Sequence, residues 1–169
     1  MAEITKNPRF ISKKSVEFPL DMVEVWYAHL NRPDTKYENA WKVNIILPKA
    51  TADSFLAVGF NVKEKDFKDG KGVRSFVIAK KKTHTASGDA LYAPKIFQQN
   101  GKDLWDKDTN IGNGSIMNLK VAARYMEING KTLLPLYINS GQVVKLVEYI
   151  SSPFEDTTGE TNKNSDVPF

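Results

Sequence analysis

The chain has 169 residues, which favours one domain, and 41% of them are hydrophobic, enough for a single core. It contains no cysteine, which excludes disulfides, thiol nucleophiles and every cysteine-ligated zinc site. The net charge is +4, but residues 151–169 carry −3, so residues 1–150 carry +7. A basic body with an acidic end indicates a polyanionic partner and a tail able to compete for the same surface.

Alternating apolar and polar residues predict the first strands. Residues 1–20 lead in without a clear pattern, and strands are expected at 22–27, 41–47 and 73–79. In the second of these, alternate side chains are apolar from the first residue to the last, so they share one face. The charged, glycine-punctuated stretch 63–72 is expected to be a loop.

A short helix is predicted between the second and third strands. Pro48 fits a helix start, and Ala52, Phe55 and Leu56 recur at three- and four-residue spacing. Gly59 follows the last periodic residues and can end the helix.

The second half of the body begins with a long polar connection, residues 83–113, whose length and aromatic residues indicate function rather than disorder. Strands are expected at 116–125 and 132–138, joined through the hairpin turn signal Asn129-Gly130. Residues 142–150 fit a further strand or a short helix, and their β-branched content favours the strand.

Five or six strands, one helix and long loops predict a mainly β protein. The expected architecture is a five-stranded oligonucleotide-binding (OB) barrel, a partly open Greek-key barrel that presents a groove. We expect this domain to span residues 1–150. Residues 151–169 are expected to form a flexible acidic tail, because no apolar residue occurs from 157 to 165.

The usual signatures of catalysis are missing from the sequence. The two histidines, His29 and His84, lie in no metal-binding spacing, and no phosphate-binding loop or nucleophile elbow occurs. The densest acidic cluster contains Asp106 and Asp108, but Ile111 stands where the calcium-loop pattern requires glycine. We therefore expect no enzymatic activity, no metal and no cofactor.

A single nucleic-acid strand is bound by cations along its backbone and by flat rings on which its bases stack. The body offers both, because three lysines follow the strand that carries Arg74 and aromatic residues are interspersed around them. The predicted phosphate-contacting residues are Lys42, Arg74, Lys80, Lys81, Lys82 and Arg124. The predicted stacking residues are Trp41, Phe76, Tyr92, Trp105 and Tyr125.

The chain ends in Asp166, Val167, Pro168 and Phe169. Phe169 carries an aromatic ring and the terminal carboxylate on one residue. That pair suits a small apolar pocket with an arginine or lysine at its rim. The end of the tail therefore predicts a protein partner.

Short motifs spread from about residue 20 to the end form a recognisable pattern. They are Trp41-Lys-Val-Asn-Ile-Ile-Leu-Pro48, Tyr92-Ala-Pro-Lys95, Asn110-Ile-Gly-Asn-Gly-Ser115, Gln142-Val-Val-Lys-Leu-Val147 and Phe154-Glu155 before the acidic tail. Together they resemble the single-stranded DNA-binding proteins of tailed bacteriophages. The final four residues are similar to the terminal motif of bacterial single-stranded DNA-binding proteins.

This resemblance implies an OB fold that binds single-stranded DNA without sequence preference. It implies a role in phage DNA replication, recombination and repair in the cytoplasm of an infected bacterial host. It also implies that the acidic tail recruits replication proteins such as a polymerase or helicase-primase, and it makes a homodimer plausible. With no apolar run near the roughly 18 residues that span a bilayer, no membrane association is expected.

Three other functions fit parts of the same sequence. An RNA-binding module on the same barrel stays open, because no residue pattern identifies a contact to a 2′-hydroxyl. A metal-dependent nuclease would use Asp103, Asp106 and Asp108. A structural or partner-binding viral protein would have no affinity for nucleic acid.

Overall fold

The computed structural model describes residues 15–36, 38–124 and 126–148. These ranges form nine strands and one helix, and no helix within them is long and apolar enough to cross a membrane. The elements are β1 (Val16–Asp34), β2 (Ala40–Leu47), α1 (Lys49–Val58), β3 (Lys63–Asp66), β4 (Val73–Lys82), β5 (Lys95–Phe97), β6 (Ser115–Ala123), β7 (Met126–Ile128), β8 (Lys131–Leu133) and β9 (Leu136–Lys145).

Five strands form a partly closed ring, which confirms the predicted mainly β class and OB-like barrel. Antiparallel pairing links them in the order β4-β2-β1-β6-β9. The ring closes through one parallel pair, Lys80 of β4 with Tyr137 of β9. Two short strands extend the sheet beyond this ring, β3 alongside β4 and β5 alongside β9.

The 19-residue strand β1 bends around the barrel and belongs to both of its sides. Its first half pairs with β6 and its second half with β2. Register shifts follow Leu20 and Trp26, and at these irregularities Met22 and Tyr27 adopt positive φ angles of 54° and 51°. Such bulges let one strand turn from one partner to the next.

The expected irregular lead-in over residues 1–20 is wrong for 16–20, which belong to β1. Val16, Phe18 and Leu20 are buried and alternate with exposed residues, so this stretch already follows the strand period. Residues 1–14 lie outside the described part of the chain. So do residues 149–169, and the expected boundary near 150 stays a prediction.

The predicted helix is confirmed as α1, which begins one residue after Pro48. Gly59 ends it in the left-handed conformation, with a φ of 115°, and its amide donates to the carbonyl of Phe55. The Phe55 ring is fully buried and packs edge-on against Phe18 at 6.2 Å between ring centres. Leu56, the third residue of the predicted apolar face, is exposed instead.

The predicted loop over residues 63–72 is wrong at its start, because 63–66 form β3 against β4. All four side chains of β3 are charged and exposed, so no apolar alternation marks it. Charged residues on an edge strand also discourage pairing with other chains. The connection 83–113 contains β5 and two internal bridges, His84 with Ala90 and Phe97 with Leu104, and a third bridge joins Ile111 to Glu148.

The Asn129-Gly130 turn is confirmed, and both residues have the positive φ angles of a tight hairpin. It joins β7 to β8 in a separate two-stranded hairpin. The expected continuous strand at 132–138 is interrupted: β9 begins at Leu136 and pairs with β6. The predicted strand at 142–150 holds as far as Lys145, the end of β9.

Candidate nucleic-acid interface

One face of the sheet points into the barrel and the other points outward. On β2 and β4, Val43, Ile45, Val77 and Ala79 point inward and are almost completely buried. The residues between them form what we call the outer face. From one end of β4 to the other, its outward side chains are Arg74, Phe76, Ile78, Lys80 and Lys82. In register on β2, the outward side chains are Ile46, Asn44 and Lys42.

Four aromatic residues meet on the outer face, and we call them the ring cluster: Trp26, Tyr27, Phe67 and Phe76. The Phe67 ring lies at the centre, 4.8 Å from Trp26, 6.0 Å from Tyr27 and 5.4 Å from Phe76. Tyr27 is 38% exposed and Trp26 is half-buried, whereas the two phenylalanines are buried. Trp26 and Tyr27 therefore present ring surface to solvent, and the phenylalanines support them.

Cations lie against these rings. The Lys65 Nζ is 4.8 Å from the centre of the Tyr27 ring and donates a 3.3 Å hydrogen bond to the Tyr27 hydroxyl. The Arg74 guanidinium carbon is 5.6 Å from the centre of the Phe67 ring. Cation–π contacts of this kind hold charge beside an aromatic surface.

A carboxylate fixes the edge of the ring cluster. Glu24 accepts a 2.6 Å hydrogen bond from the Trp26 indole N–H and two from the Arg74 guanidinium, at 3.0 and 3.1 Å. Burial raises the pKa of Glu24, but the hydrogen bonds from Arg74 and Trp26 and the charges of Arg74 and Lys71 outweigh burial, so this pKa lies below its usual value.

The other end of the outer face is basic, with Lys42, Lys80 and Lys82 in the outward rows. Lys81 alternates to the opposite face of β4 but lines the same groove as Lys80 and Lys82, and we call these four residues the lysine patch. Lys42 forms a 2.6 Å ion pair with Asp34, the last residue of β1, and Lys80 forms one of the same length with Glu38, in the segment between β1 and β2. Hydrogen bonds from these lysines lower the pKa values of both carboxyl groups. Within the described residues, Lys81 and Lys82 have no ion pair.

A groove of about 810 Å³ continues from the lysine patch, and we call it the hairpin groove. One wall is formed by five residues of β4: Val77, Ile78, Lys80, Lys81 and Lys82. The opposite wall is formed by the end of the β7–β8 hairpin and the start of β9, including Leu133, Pro135 and Tyr137. Its lining is therefore apolar on one side and rich in lysine on the other.

The predicted phosphate-contacting residues divide among three environments. Lys42, Lys80, Lys81 and Lys82 come together as the lysine patch. Arg74 lies on the outer face but contacts Glu24 and Asp69. Arg124 is exposed just beyond β6 and does not line the hairpin groove.

The predicted stacking residues do not form one surface. Trp41 and Phe76 are only 8% and 6% exposed, so neither ring offers a free face in this conformation. Trp105 is half-buried against the inner core, and its indole N–H donates to the Thr109 carbonyl at 2.8 Å. Tyr92 is 90% exposed in the 83–113 connection. Tyr125 and the tail residues Asp166, Val167, Pro168 and Phe169 lie outside the described residues.

The sequence reading missed Trp26, Tyr27 and Phe67. The first two lie in the predicted strand 22–27, but neighbouring residues of a regular strand point to opposite faces. The positive φ angle of Tyr27 allows both rings to contact Phe67. Phe67 lies in the predicted loop 63–72. It is the only aromatic residue in that charged stretch, and this was the one sequence signal that could have marked it as a site residue.

The acidic cluster of the nuclease alternative stabilises turns. Asp106 accepts hydrogen bonds from the Asp108 amide and the Thr109 hydroxyl, and these lower its pKa. Asp103 accepts one from the Asn100 side chain. In the described ranges, no three acidic or histidine side chains are grouped as a metal site requires.

The architecture described above is that of single-stranded DNA-binding proteins from bacteriophages, which confirms the resemblance at the level of the fold. The single-stranded DNA-binding protein of bacteriophage Enc34, solved in complex with single-stranded DNA, is 15% identical, with a TM-score of 0.56 over 78% of this chain and 88% of its own. The gp2.5 single-stranded DNA-binding protein of bacteriophage T7 is 16% identical, with a TM-score of 0.57 over 92% of this chain and 100% of its own. No family model and no curated protein matches the sequence.

Proposed function

We propose that this protein binds single-stranded DNA, without sequence preference, across the outer face of its barrel. One observation carries the proposal: the outward row of β4 joins the two features, because Phe76 at one end packs in the ring cluster and Lys80 and Lys82 at the other end belong to the lysine patch. Rings that face solvent beside a row of cations are the two elements that a single strand requires. The Enc34 complex supports the proposal, because a protein with this fold holds single-stranded DNA.

Bases stack on Trp26 and Tyr27, since these two rings are accessible. Phosphates follow the lysine patch, where Lys81 and Lys82 offer their charges without a carboxylate partner among the described residues. At Lys42 and Lys80 a phosphate replaces Asp34 and Glu38, exchanging one anion for another. The DNA then continues into the hairpin groove, where the lysines suit its phosphates and the apolar wall suits its bases.

Titration of a fluorescein-labelled oligo-dT, followed by anisotropy at several salt concentrations, tests the proposal. Affinity falls as salt rises, with a slope of about −0.7 per neutralised phosphate. No binding at low salt, or an affinity independent of salt, contradicts it. A matched oligo-U titration separates DNA from RNA binding, and tighter binding of oligo-U favours the RNA-binding alternative.

The protein acts without catalysis in this proposal. Incubating the labelled strand with the protein and Mg²⁺ or Mn²⁺ then leaves its length unchanged. Cleavage that is lost when Asp103, Asp106 and Asp108 are replaced by asparagine favours the nuclease instead.

The role we propose for this binding is to protect DNA during phage replication and recombination in a bacterial host, with residues 151–169 recruiting replication proteins. The −3 charge of that segment competes with DNA for the lysine patch. Deleting it therefore tightens oligo-dT binding at low salt and abolishes recruitment, whereas unchanged affinity contradicts the competition. Sedimentation of the parent protein decides whether it forms the homodimer that the resemblance allows.

A further inference from the structure

Arg74 is one of the two cations that lie against the ring cluster, yet its surroundings are poor for a phosphate. Its side chain is only 17% exposed, and Glu24 and Asp69 both pair with its guanidinium. Both terminal nitrogens of the guanidinium already donate to carboxylates, and Lys71 lies 3.9 Å from Glu24, so the two carboxylates and two cations of this network balance one another. A phosphate that approached Arg74 would have to displace a carboxylate from a side chain that is mostly buried, in contrast to the exposed Lys82.

The contacts of Arg74 lead instead to the two elements that carry the rings. Through Glu24, which accepts from both Arg74 and the Trp26 indole, it is linked to β1. Through Asp69 it is linked to the connection between β3 and β4. Phe67, at the centre of the ring cluster, begins that connection and lies beneath the guanidinium.

We propose that Arg74 is a positioning residue, which holds Trp26 and Phe67 in the arrangement on which DNA bases stack, and that it is not a phosphate contact. This inference rests on the proposed function. The two ends of the outer face then have different roles. The lysines attract the DNA phosphates, and the Glu24–Arg74–Asp69 network holds the rings in place.

The role requires arginine rather than positive charge alone. A planar guanidinium reaches two carboxylates at once through separate N–H groups, two of them parallel to Glu24. A lysine ammonium is a compact point charge and cannot reproduce that fork. Arg74→Lys therefore keeps the charge but loses the bridge between β1 and the β3–β4 connection.

The experiment compares Arg74→Lys with Lys82→Gln, an exposed lysine at the opposite end of β4. Oligo-dT affinity is measured against salt in the full chain, with circular dichroism confirming the fold. Arg74→Lys weakens binding about tenfold, within the range for losing one stacked base, and leaves the salt slope unchanged. Lys82→Gln reduces the magnitude of the slope by about 0.7, as one lost phosphate contact should.

A second readout does not depend on DNA. In a background with Trp41→Phe and Trp105→Phe, Trp26 is the one remaining tryptophan. Arg74→Lys shifts its emission to longer wavelength in the free protein, because the indole loses its fixed place against Phe67. If the parent protein bound no oligo-dT, the proposed function would fail, while this shift would still report on the positioning.

If Arg74→Lys keeps the parental oligo-dT affinity and the parental Trp26 emission, the inference is overturned, because a positive charge alone would then position the rings. A reduced salt slope in Arg74→Gln overturns it too, since that marks a phosphate contact. If Arg74→Lys does not fold, Asp69→Asn replaces it, because it releases only the exposed connection. Asp69→Asn then weakens oligo-dT binding by a smaller factor, about threefold, with the slope again unchanged, and parental affinity in that variant contradicts the inference.

Discussion

Two apolar clusters of the described residues lie on opposite sides of the sheet and differ in composition and exposure. The inner core takes the inward residues of β1, β2 and β4, such as Val25, Val43 and Ile45, and excludes water completely. The ring cluster on the outer face is aromatic, partly exposed and bordered by Lys65 and Arg74. Apolar surface left open beside cations fits a ligand-binding role, whereas sealed aliphatic surface fits a stabilising one.

On these strands, neighbouring residues are divided between the side that stabilises the fold and the side that we propose binds DNA. Moving one residue along β2 or β4 takes a side chain from the inner core to the outer face. Substitutions on the two sides should therefore change different measured quantities.

The largest expected effect is on the inner side. Ile45→Ala deletes three buried carbons from a fully closed site and lowers the free energy of unfolding by about 2–5 kcal/mol. Urea unfolding measures this loss. Oligo-dT affinity of the folded variant stays near the parental value, and a parallel collapse of affinity would show that the clusters are not separable.

On the outer side, Trp26→Ala removes one of the two rings on which we propose that bases stack. We expect binding to weaken by about 1–3 kcal/mol, the usual contribution of one stacked base. The urea midpoint moves less than in Ile45→Ala, because Trp26 is already half-exposed. Leu56→Ala, which removes an exposed apolar side chain from α1, is the control and leaves affinity unchanged.

We expect the lysine patch to contribute to DNA binding mainly through salt-dependent attraction of phosphates. Replacing Lys81 and Lys82 together by glutamine reduces the magnitude of the salt slope by about 1.4, which corresponds to two phosphates. Unfolding in urea is almost unaffected, since neither lysine forms an ion pair with the described carboxylates. An unchanged salt slope would show that the DNA phosphates contact another part of the protein surface.

The smallest effect concerns acid stability at the ring cluster. The pKa of Glu24 is lower in the folded protein than its ordinary value of 4.5, so its contribution is complete above 4.5 and disappears as the pH falls through the folded pKa. Glu24→Gln therefore loses less stability than the parent protein between pH 7 and pH 3. Urea midpoints at the two pH values measure this difference. Glu64→Gln, an exposed carboxylate on β3, is the control, and identical profiles for both variants would contradict the assignment.

The sequence predicts the barrel well because its strands are marked by alternation and its turns by specific residues. The strand at 41–47, the helix end at Gly59 and the Asn129-Gly130 turn all follow from local chemistry. β3 could not be found in this way, since its four charged residues form a strand only because β4 offers a free edge.

The candidate site was harder to predict than the fold. Lys80, Lys81 and Lys82 stand out as a run, and the structure brings them together with Lys42. Which rings face outward depends on bulges and on long-range contacts that no local pattern encodes. The Tyr27 bulge and the return of Phe67 to the outer face decide the ring cluster, and both arise from tertiary packing.

The most direct test of the account uses two variants that each keep one tryptophan, Trp26 or Trp105. Titration with unlabelled oligo-dT at low salt follows the emission of each. If DNA lies on the outer face, the Trp26 variant is quenched as binding proceeds, and the Trp105 variant, whose ring packs on the inner core, changes little. Quenching of Trp105 with no change at Trp26 would contradict the account.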